Sequence, residues 1–174
     1  MTIVFVRHSK PEIVVGEPAN MWALSAVGRQ RAEQLGGRLA TVLSDASPSV
    51  FSSTEAKAEE TAALLGLGTV TVDERFDEVQ KPWFDEAEDH AAAVSNYLRG
   101  HDQPGFEART QALARFHAAV ADASSGAVIA THGTVLSLYL SQQVSGFDPL
   151  SFWLGLEMPD AWQFDRATGE ATRI

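Results

Sequence analysis

Two histidines carry the chemical potential of this chain. Arg7-His8 stands directly after the apolar run Ile3-Val4-Phe5-Val6, and His132 follows a second such run, Ala127-Val128-Ile129-Ala130-Thr131. An imidazole can serve as nucleophile, acid or base near neutral pH, and a guanidinium beside it can hold anionic oxygens with two parallel N–H donors. Lys57 lies near the start of a helix, where the helix dipole opposes a cation by roughly 0.3–1 kcal/mol, so an anion nearby would compensate it. Arg7, Lys57 and two helix N-termini are suited to holding a phosphoryl group while an imidazole attacks phosphorus. A nearby carboxylic acid would protonate the leaving oxygen. Such chemistry needs neither metal nor cofactor.

Positioning those groups requires strands and helices in alternation. Unalternated β-branched runs read as strands covered on both faces, expected at Ile3–Val6, Val50-Phe51, Thr69–Val72 and Ala127–Thr131. A polar loop from Lys10 to Leu24 leads to a helix capped by Ser25 and running to about Leu43. A second helix is expected after Ser52-Ser53, either of which can cap it, with Glu55 in capping-box spacing from Ser52 and Gly66 as the stop. Helices are further expected over Glu86–Arg99, Phe106–Ala123 and Thr134–Val144, and a hairpin of Ala161–Phe164 with Ala171–Ile174 at one sheet edge. His117 shares a stripe with Leu113 and Val120 and is expected at the core or its boundary, whereas His90, amid acids, is expected to face solvent. The alternation predicts an α/β three-layer sandwich with a mainly parallel sheet, as one domain over residues 1–174. Ligands of such sheets bind beyond the carboxyl ends of the strands. Arg7-His8, Ser52-Ser53, Glu78 and His132-Gly133-Thr134 would all gather there.

Composition narrows the partners. The 174 residues are 45% hydrophobic, enough for a single core that buries about 70% of the unfolded surface. A net charge of −10 disfavours nucleic acid and anionic membranes as partners, and a small phosphorylated molecule or phosphate is expected instead. The segment Asp73–Asp89 alone carries Asp73, Glu74, Asp77, Glu78, Asp85, Glu86, Glu88 and Asp89 against Arg75 and Lys81. Without cysteine there is no thiol nucleophile and no disulfide, and with no leader-like or membrane-spanning run a cytoplasmic location is expected.

The motifs resemble those of the histidine phosphatase superfamily, the phosphoglycerate mutase-like fold. Val4-Phe5-Val6-Arg7-His8-Ser9 is similar to its strand followed by Arg-His-Gly, and Leu24-Ser25-Ala26-Val27-Gly28-Arg29-Gln30-Arg31-Ala32 to its Leu-Thr-x-x-Gly-x-x-Gln-Ala helix start. Ser52-Ser53-Thr54-Glu55-Ala56-Lys57-Ala58-Glu59-Glu60-Thr61-Ala62 resembles its Ser-Ser-x-x-x-Arg-Ala-x-x-Thr-Ala segment. Phe76-Asp77-Glu78 resembles Leu-x-Glu, Thr131-His132-Gly133 resembles Ser/Thr-His-Gly, and Gly105-Phe106-Glu107 loosely resembles a Gly-Glu-Ser segment. The resemblance implies a metal-independent phosphatase in which His8 forms a phosphohistidine, Arg7 and His132 hold the transferring phosphoryl, and Glu78 donates the proton. Lys57, Ser9 and Gly133 fall at substrate-binding positions.

Two departures stand out. Lys57 occupies the place of a second arginine although the chain uses ten arginines and three lysines, so a point charge replaces a planar fork. Ser9 replaces glycine, where its side chain would crowd the phosphate or add a hydroxyl donor. Trp22, Trp83, Phe84 and Trp153 are candidate walls of the substrate pocket. Phosphoglycerate mutase-type transfer is the nearer alternative, and the chain is short for it. A non-catalytic phosphate-ligand sensor would keep the same pocket, and a metal-dependent hydrolase would use His8, His132 and Glu78 as ligands.

Overall fold

The computed structural model describes residues 1–43 and 47–174. A six-stranded sheet, ordered β3-β2-β4-β1-β5-β6, is built from β1 (Thr2–Arg7), β2 (Val50–Ser52), β3 (Val70–Val72), β4 (Val128–Thr131), β5 (Asp160–Asp165) and β6 (Glu170–Arg173). The first four strands pair in parallel, and β5 and β6 close one edge as the expected antiparallel hairpin. The α/β fold with a mainly parallel central sheet is therefore as the sequence indicated.

Alternate residues of β1 enter two separate cores, as a pleated strand requires. Ile3 and Phe5 join Ile129 and the inner faces of α3 (Ala87–Leu98), α4 (Arg109–Asp122) and α5 (Gly133–Gln143). Val4 and Val6 join Val128 with Leu35 and Leu39 of α1 (Ala26–Val42) and with Leu65, which follows α2 (Ala56–Leu64). The sheet thus lies between two helical layers. Every residue of α5 from Gly133 to Leu140 is buried, as its apolar composition predicted.

Three details differ from expectation. α4 starts at Arg109, so Phe106 packs from the preceding loop, and its inward face turns on Ala112, Phe116, Ala119 and Val120, which leaves His117 exposed. A short helix α6 (Pro149–Gly155), capped by Asp148, carries Trp153 beyond the end of α5; its seven residues are too few to show a helical period. The expected cap of α2 is replaced: Glu55 is the N-cap residue without a side-chain cap bond, and the Ser53 hydroxyl accepts from the Glu55 amide at 3.2 Å. The carboxylate that capping-box spacing assigned to the helix end is free to turn elsewhere.

Candidate active site

Strand register brings the two histidines together. β1 and β4 are parallel neighbours with Arg7 opposite Thr131, so His8 and His132 leave adjacent strands at the same level. Their ring centroids lie 5.1 Å apart, and both side chains are buried. The His8 amide donates to the Thr131 carbonyl at 2.9 Å, extending the ladder one residue past β1 and fixing the nucleophile candidate where the sheet ends.

The hydrogen bonds of His8 assign its tautomer. Nδ1 lies 2.8 Å from the Ser9 carbonyl, which only accepts, so Nδ1 carries the proton and Nε2 keeps its lone pair. Burial holds the imidazole well below its ordinary pKa, and the neighbouring His132, Lys57 and Arg7 act in the same direction. A neutral imidazole with a free Nε2 is the form that attacks an electrophile.

His132 is held from the other side. Its Nε2 is 2.7 Å from the Ser53 hydroxyl, and burial, opposed by Glu78, also keeps this ring neutral. Ser53, which sequence spacing places as a helix cap, instead joins the amide of Glu55 to His132. Gly133 permits a close approach: a Cβ there would sit 3.3 Å from Arg7 Nε and 3.3 Å from the Trp153 indole. Arg7 donates through Nη1 to the Leu156 carbonyl at 3.0 Å, while its buried Nε has no protein partner among the described residues. That donor is available to an anion above Gly133.

The Ser9 expectation needs correction. Its hydroxyl donates to the Gly28 carbonyl at 2.7 Å and its amide to the Thr61 hydroxyl at 2.9 Å, with the residue fully buried. Ser9 neither crowds a phosphate nor offers it a donor. It ties the loop after His8 to α1 and α2. Gly28 is required at that junction, because a Cβ would fall 2.1 Å from the Lys10 carbonyl oxygen.

Lys57 is buried in the site and is no ordinary solvated helix lysine. Its ammonium donates to the Ala19 carbonyl at 2.7 Å and pairs with Glu55 on the same turn. Glu55 is the residue that motif reading passed over. Its Oε1 accepts from the Glu78 amide at 3.1 Å and lies 3.6 Å from His132 Nε2, with the side chain only 12% exposed. Capping-box spacing drew attention to Glu55 for the wrong partner, and only the fold shows that it faces the histidines.

Glu78 does reach the site, held there by main-chain N–H donors. Its oxygens accept from the amides of Val79 at 2.9 Å, Thr134 at 3.2 Å and Val135 at 2.9 Å, the last two at the N-terminus of α5. Burial raises its pKa, but Lys81 at 3.6 Å, His132 and these N–H donors outweigh that and hold the carboxyl far below the ordinary range. In the ligand-free site Glu78 is an anchored carboxylate. Its loop is in turn clamped by Arg115 of α4, which donates to the carbonyls of Arg75 at 3.0 Å, Asp77 at 2.8 Å and Glu78 at 3.0 Å, and pairs with both oxygens of Glu107. Asp77 accepts from Thr54 through both oxygens at 2.7 Å, joining this loop to the segment bearing Glu55.

Aromatic side chains pair on the segments beside the site. Trp22 meets Trp83 edge to face at 5.6 Å, and His90 lies between Phe84 at 5.7 Å and Trp153 at 6.3 Å. His90 is half-buried over the pocket, where burial and then Lys81 lower its pKa, and does not simply face solvent. Among the described residues no three His, Asp or Glu side chains are grouped to hold a metal ion, so His8, His132 and Glu78 do not form the ligand set of the metal-dependent alternative.

The model of the histidine phosphatase superfamily (branch 1) matches residues 3–166. The chain belongs to that superfamily. No curated protein sequence matches it significantly. Among solved structures it is similar to the mycobacterial glucosyl-3-phosphoglycerate phosphatase Rv2419c in complex with inorganic phosphate, at TM-score 0.72 and 20% identity over 99% of this chain and 95% of that one. It is similar to TTHB049 from Thermus thermophilus at TM-score 0.72 and 23% identity, over 95% and 94% of the two chains. At those identities the likeness establishes a shared fold. No helix of the described residues is long and apolar enough to cross a membrane.

Proposed function

We propose that this histidine phosphatase superfamily member is a phosphatase that hydrolyses a phosphomonoester through a phosphohistidine on His8, without a metal. The observation that carries the reading is the fixed tautomer of His8, with Nδ1 protonated against the Ser9 carbonyl and a buried, neutral ring 5.1 Å from His132. The phosphoryl group would sit between Arg7, Lys57, His132 and the first turn of α5 beyond Gly133. There, fixed N–H donors meet the charge that spreads over its equatorial oxygens. Glu78, anchored at that helix end and facing Lys81, would deliver the proton to the leaving oxygen, taking it up as the anionic substrate enters beside it. A relative's complex with inorganic phosphate supports a small phosphorylated ligand in a fold of this kind.

The direct test is phosphate release from p-nitrophenyl phosphate and a panel of phosphorylated metabolites by wild type and His8→Ala, each with and without EDTA. Turnover confined to wild type and insensitive to EDTA is expected, together with an acid-labile, base-stable phosphoenzyme on rapid quench. Equal hydrolysis by His8→Ala would eliminate the covalent mechanism. The charge pairing of Lys57 with Glu55 favours one second reading, a phosphate-ligand sensor. It requires saturable phosphate binding with no phosphoenzyme on any substrate.

A further inference from the structure

Glu55 stands where an anion belongs. Its carboxylate pairs with the Lys57 ammonium, accepts from the Glu78 amide at 3.1 Å and lies 3.6 Å from His132 Nε2. A cation, a main-chain N–H and an imidazole converging on one group are the partners that would grip a phosphoryl oxygen. Two of them, Lys57 and His132, belong to the proposed phosphoryl seat. Helix geometry does not account for this choice of partners. Glu55 is the N-cap residue of α2, with the free N–H groups of the first turn as its nearest donors, yet its side chain makes no cap bond. Its backbone is pinned on the same side, since its amide donates to Ser53 Oγ and Thr54 is held by both oxygens of Asp77. Glu55 aside, Arg7 and Lys57 would make the seat cationic, because Glu78 is answered by Lys81 at 3.6 Å and burial keeps both histidines neutral.

We infer that Glu55 is an internal competitor for the anion seat: its carboxylate fills the Lys57 side of the seat in the ligand-free protein, withdraws when a phosphoryl group binds, and displaces free phosphate afterwards. Occupancy of the seat requires only that the pocket binds anions, whereas the role in product release rests on the phosphatase reading. The apparent affinity of any anion is reduced to the fraction of molecules whose seat is open. That reduction is the same for substrate and product. A phosphomonoester recovers it through contacts of its leaving group, and inorganic phosphate has none to make. The carboxylate thereby keeps a buried cationic pocket from being held by its own product, without touching the transferred atoms. It also gives Lys57 a partner within the same turn, so the ammonium is never left buried and unpaired when the seat is empty.

Anion binding tests this directly. Affinities for inorganic phosphate and for sulfate are measured by calorimetry in one buffer at one pH, so that only the side chains differ. Glu55→Gln keeps an acceptor for the Glu78 amide and for Lys57 but carries no charge. It should bind each anion about tenfold more tightly than wild type, the gain expected if the carboxylate holds the seat in roughly nine molecules of ten. Removing Lys57 should erase the gain, so that Lys57→Met and the Glu55→Gln, Lys57→Met double variant bind alike. A residue that merely supports the wall would behave in the opposite way, since its loss would loosen the Glu78 loop and weaken binding. In turnover of p-nitrophenyl phosphate, inorganic phosphate should inhibit Glu55→Gln about tenfold more strongly than wild type. Glu55→Ala, checked by thermal melting, carries the binding measurement if the glutamine variant is unstable. Anion affinity that is unchanged or weaker in the Glu55 variants, or a gain that survives the loss of Lys57, would overturn the inference. The two readings fail separately. Tighter anion binding in a protein that forms no phosphoenzyme would keep Glu55 as the occupant of the seat and remove the phosphatase, and a phosphoenzyme with equal affinities would do the reverse.

Discussion

The floor of the site and its wall are built by different physics. His8 and His132 are held by the sheet: adjacent parallel strands end at the same level, and the His8 amide continues the ladder to Thr131. Their positions follow from backbone hydrogen bonds that any well-formed parallel pair makes. Glu55, Lys57 and Glu78 are held by one another and by loop atoms, through the Glu55–Lys57 pair, the Glu78 amide on Glu55 and the clamp of Arg115. The floor is set by secondary structure and the wall by side chains. Changes to the floor should therefore act on chemistry without altering the protein's shape, and changes to the wall should act on charge balance and loop position.

The largest effect is expected at the floor. Replacing His132 by alanine removes a neutral imidazole from the proposed phosphoryl seat and leaves the Ser53 hydroxyl without its ring partner. A loss of about a thousandfold in kcat is expected, the order seen for deleting one fixed donor to a developing charge, with a far-UV spectrum unchanged. A drop under tenfold in single-turnover rate would mean that the floor holds only one working histidine.

Gly28→Ala probes the joint between floor and wall. The added Cβ would overlap the Lys10 carbonyl at 2.1 Å, and backbone cannot swing away as a flexible side chain would. About 3 kcal/mol of destabilisation is expected, lowering Tm by roughly 6–12 °C in a domain of this size. An unchanged melting curve would show that the Lys10 loop is soft, and with it the tether from Ser9 to Gly28.

Arg115→Lys addresses the wall alone. A lysine keeps the charge but cannot span three carbonyls and both Glu107 oxygens with a planar fork. About a tenfold fall in kcat/KM is expected as the Glu78 loop loosens, with little change in the proposed phosphohistidine step once substrate saturates. Equal losses in kcat and kcat/KM would instead place Arg115 among groups felt only in the transition state.

The same division explains what the chain disclosed before folding. Strand-end motifs were legible because period and position both point to the sheet: Arg7, His8, His132 and Gly133 fall where buried apolar runs stop. Ser25 was legible as a cap, and its hydroxyl does accept from the Gly28 amide at 3.1 Å. Wall residues were not, because their partners lie far apart in sequence. Ser53 and Glu55 have the spacing of a cap yet bond His132 and Lys57, and Ser9 looks like a ligand residue yet donates to Gly28. Local spacing assigns a side chain to its nearest free backbone group, and a buried polar cluster outcompetes that choice only after the fold has gathered it. His117 shows the same limit for apolar faces, since Phe116 takes the inward position one residue away and leaves it exposed.

The smallest expected effect per step separates floor from wall by pH. His8 and His132 both have folded pKa values well below the ordinary 6.5, with burial as the main cause, so the unfolded chain binds their protons first as pH falls. Stability that is complete above the unfolded value is lost on acidification, by up to roughly 1.4 kcal/mol per pH unit for each histidine. Glu78 has the same sign in a lower window: its folded pKa is depressed, so its contribution is present above the ordinary carboxylate value of 4.5 and fades below it. Between about pH 6.5 and 4.5 the slope of the denaturant midpoint belongs to the histidines, and below about 4.5 Glu78 joins them. A His8→Ala, His132→Ala double variant should reduce the slope of the upper window to the part left by half-buried His90, whose pKa is also lowered by burial, and leave the Glu78 part of the lower one. If both windows keep their slopes, the two rings accept protons inside the folded protein, and the neutral imidazole that the proposed attack on phosphorus requires is not the resting form.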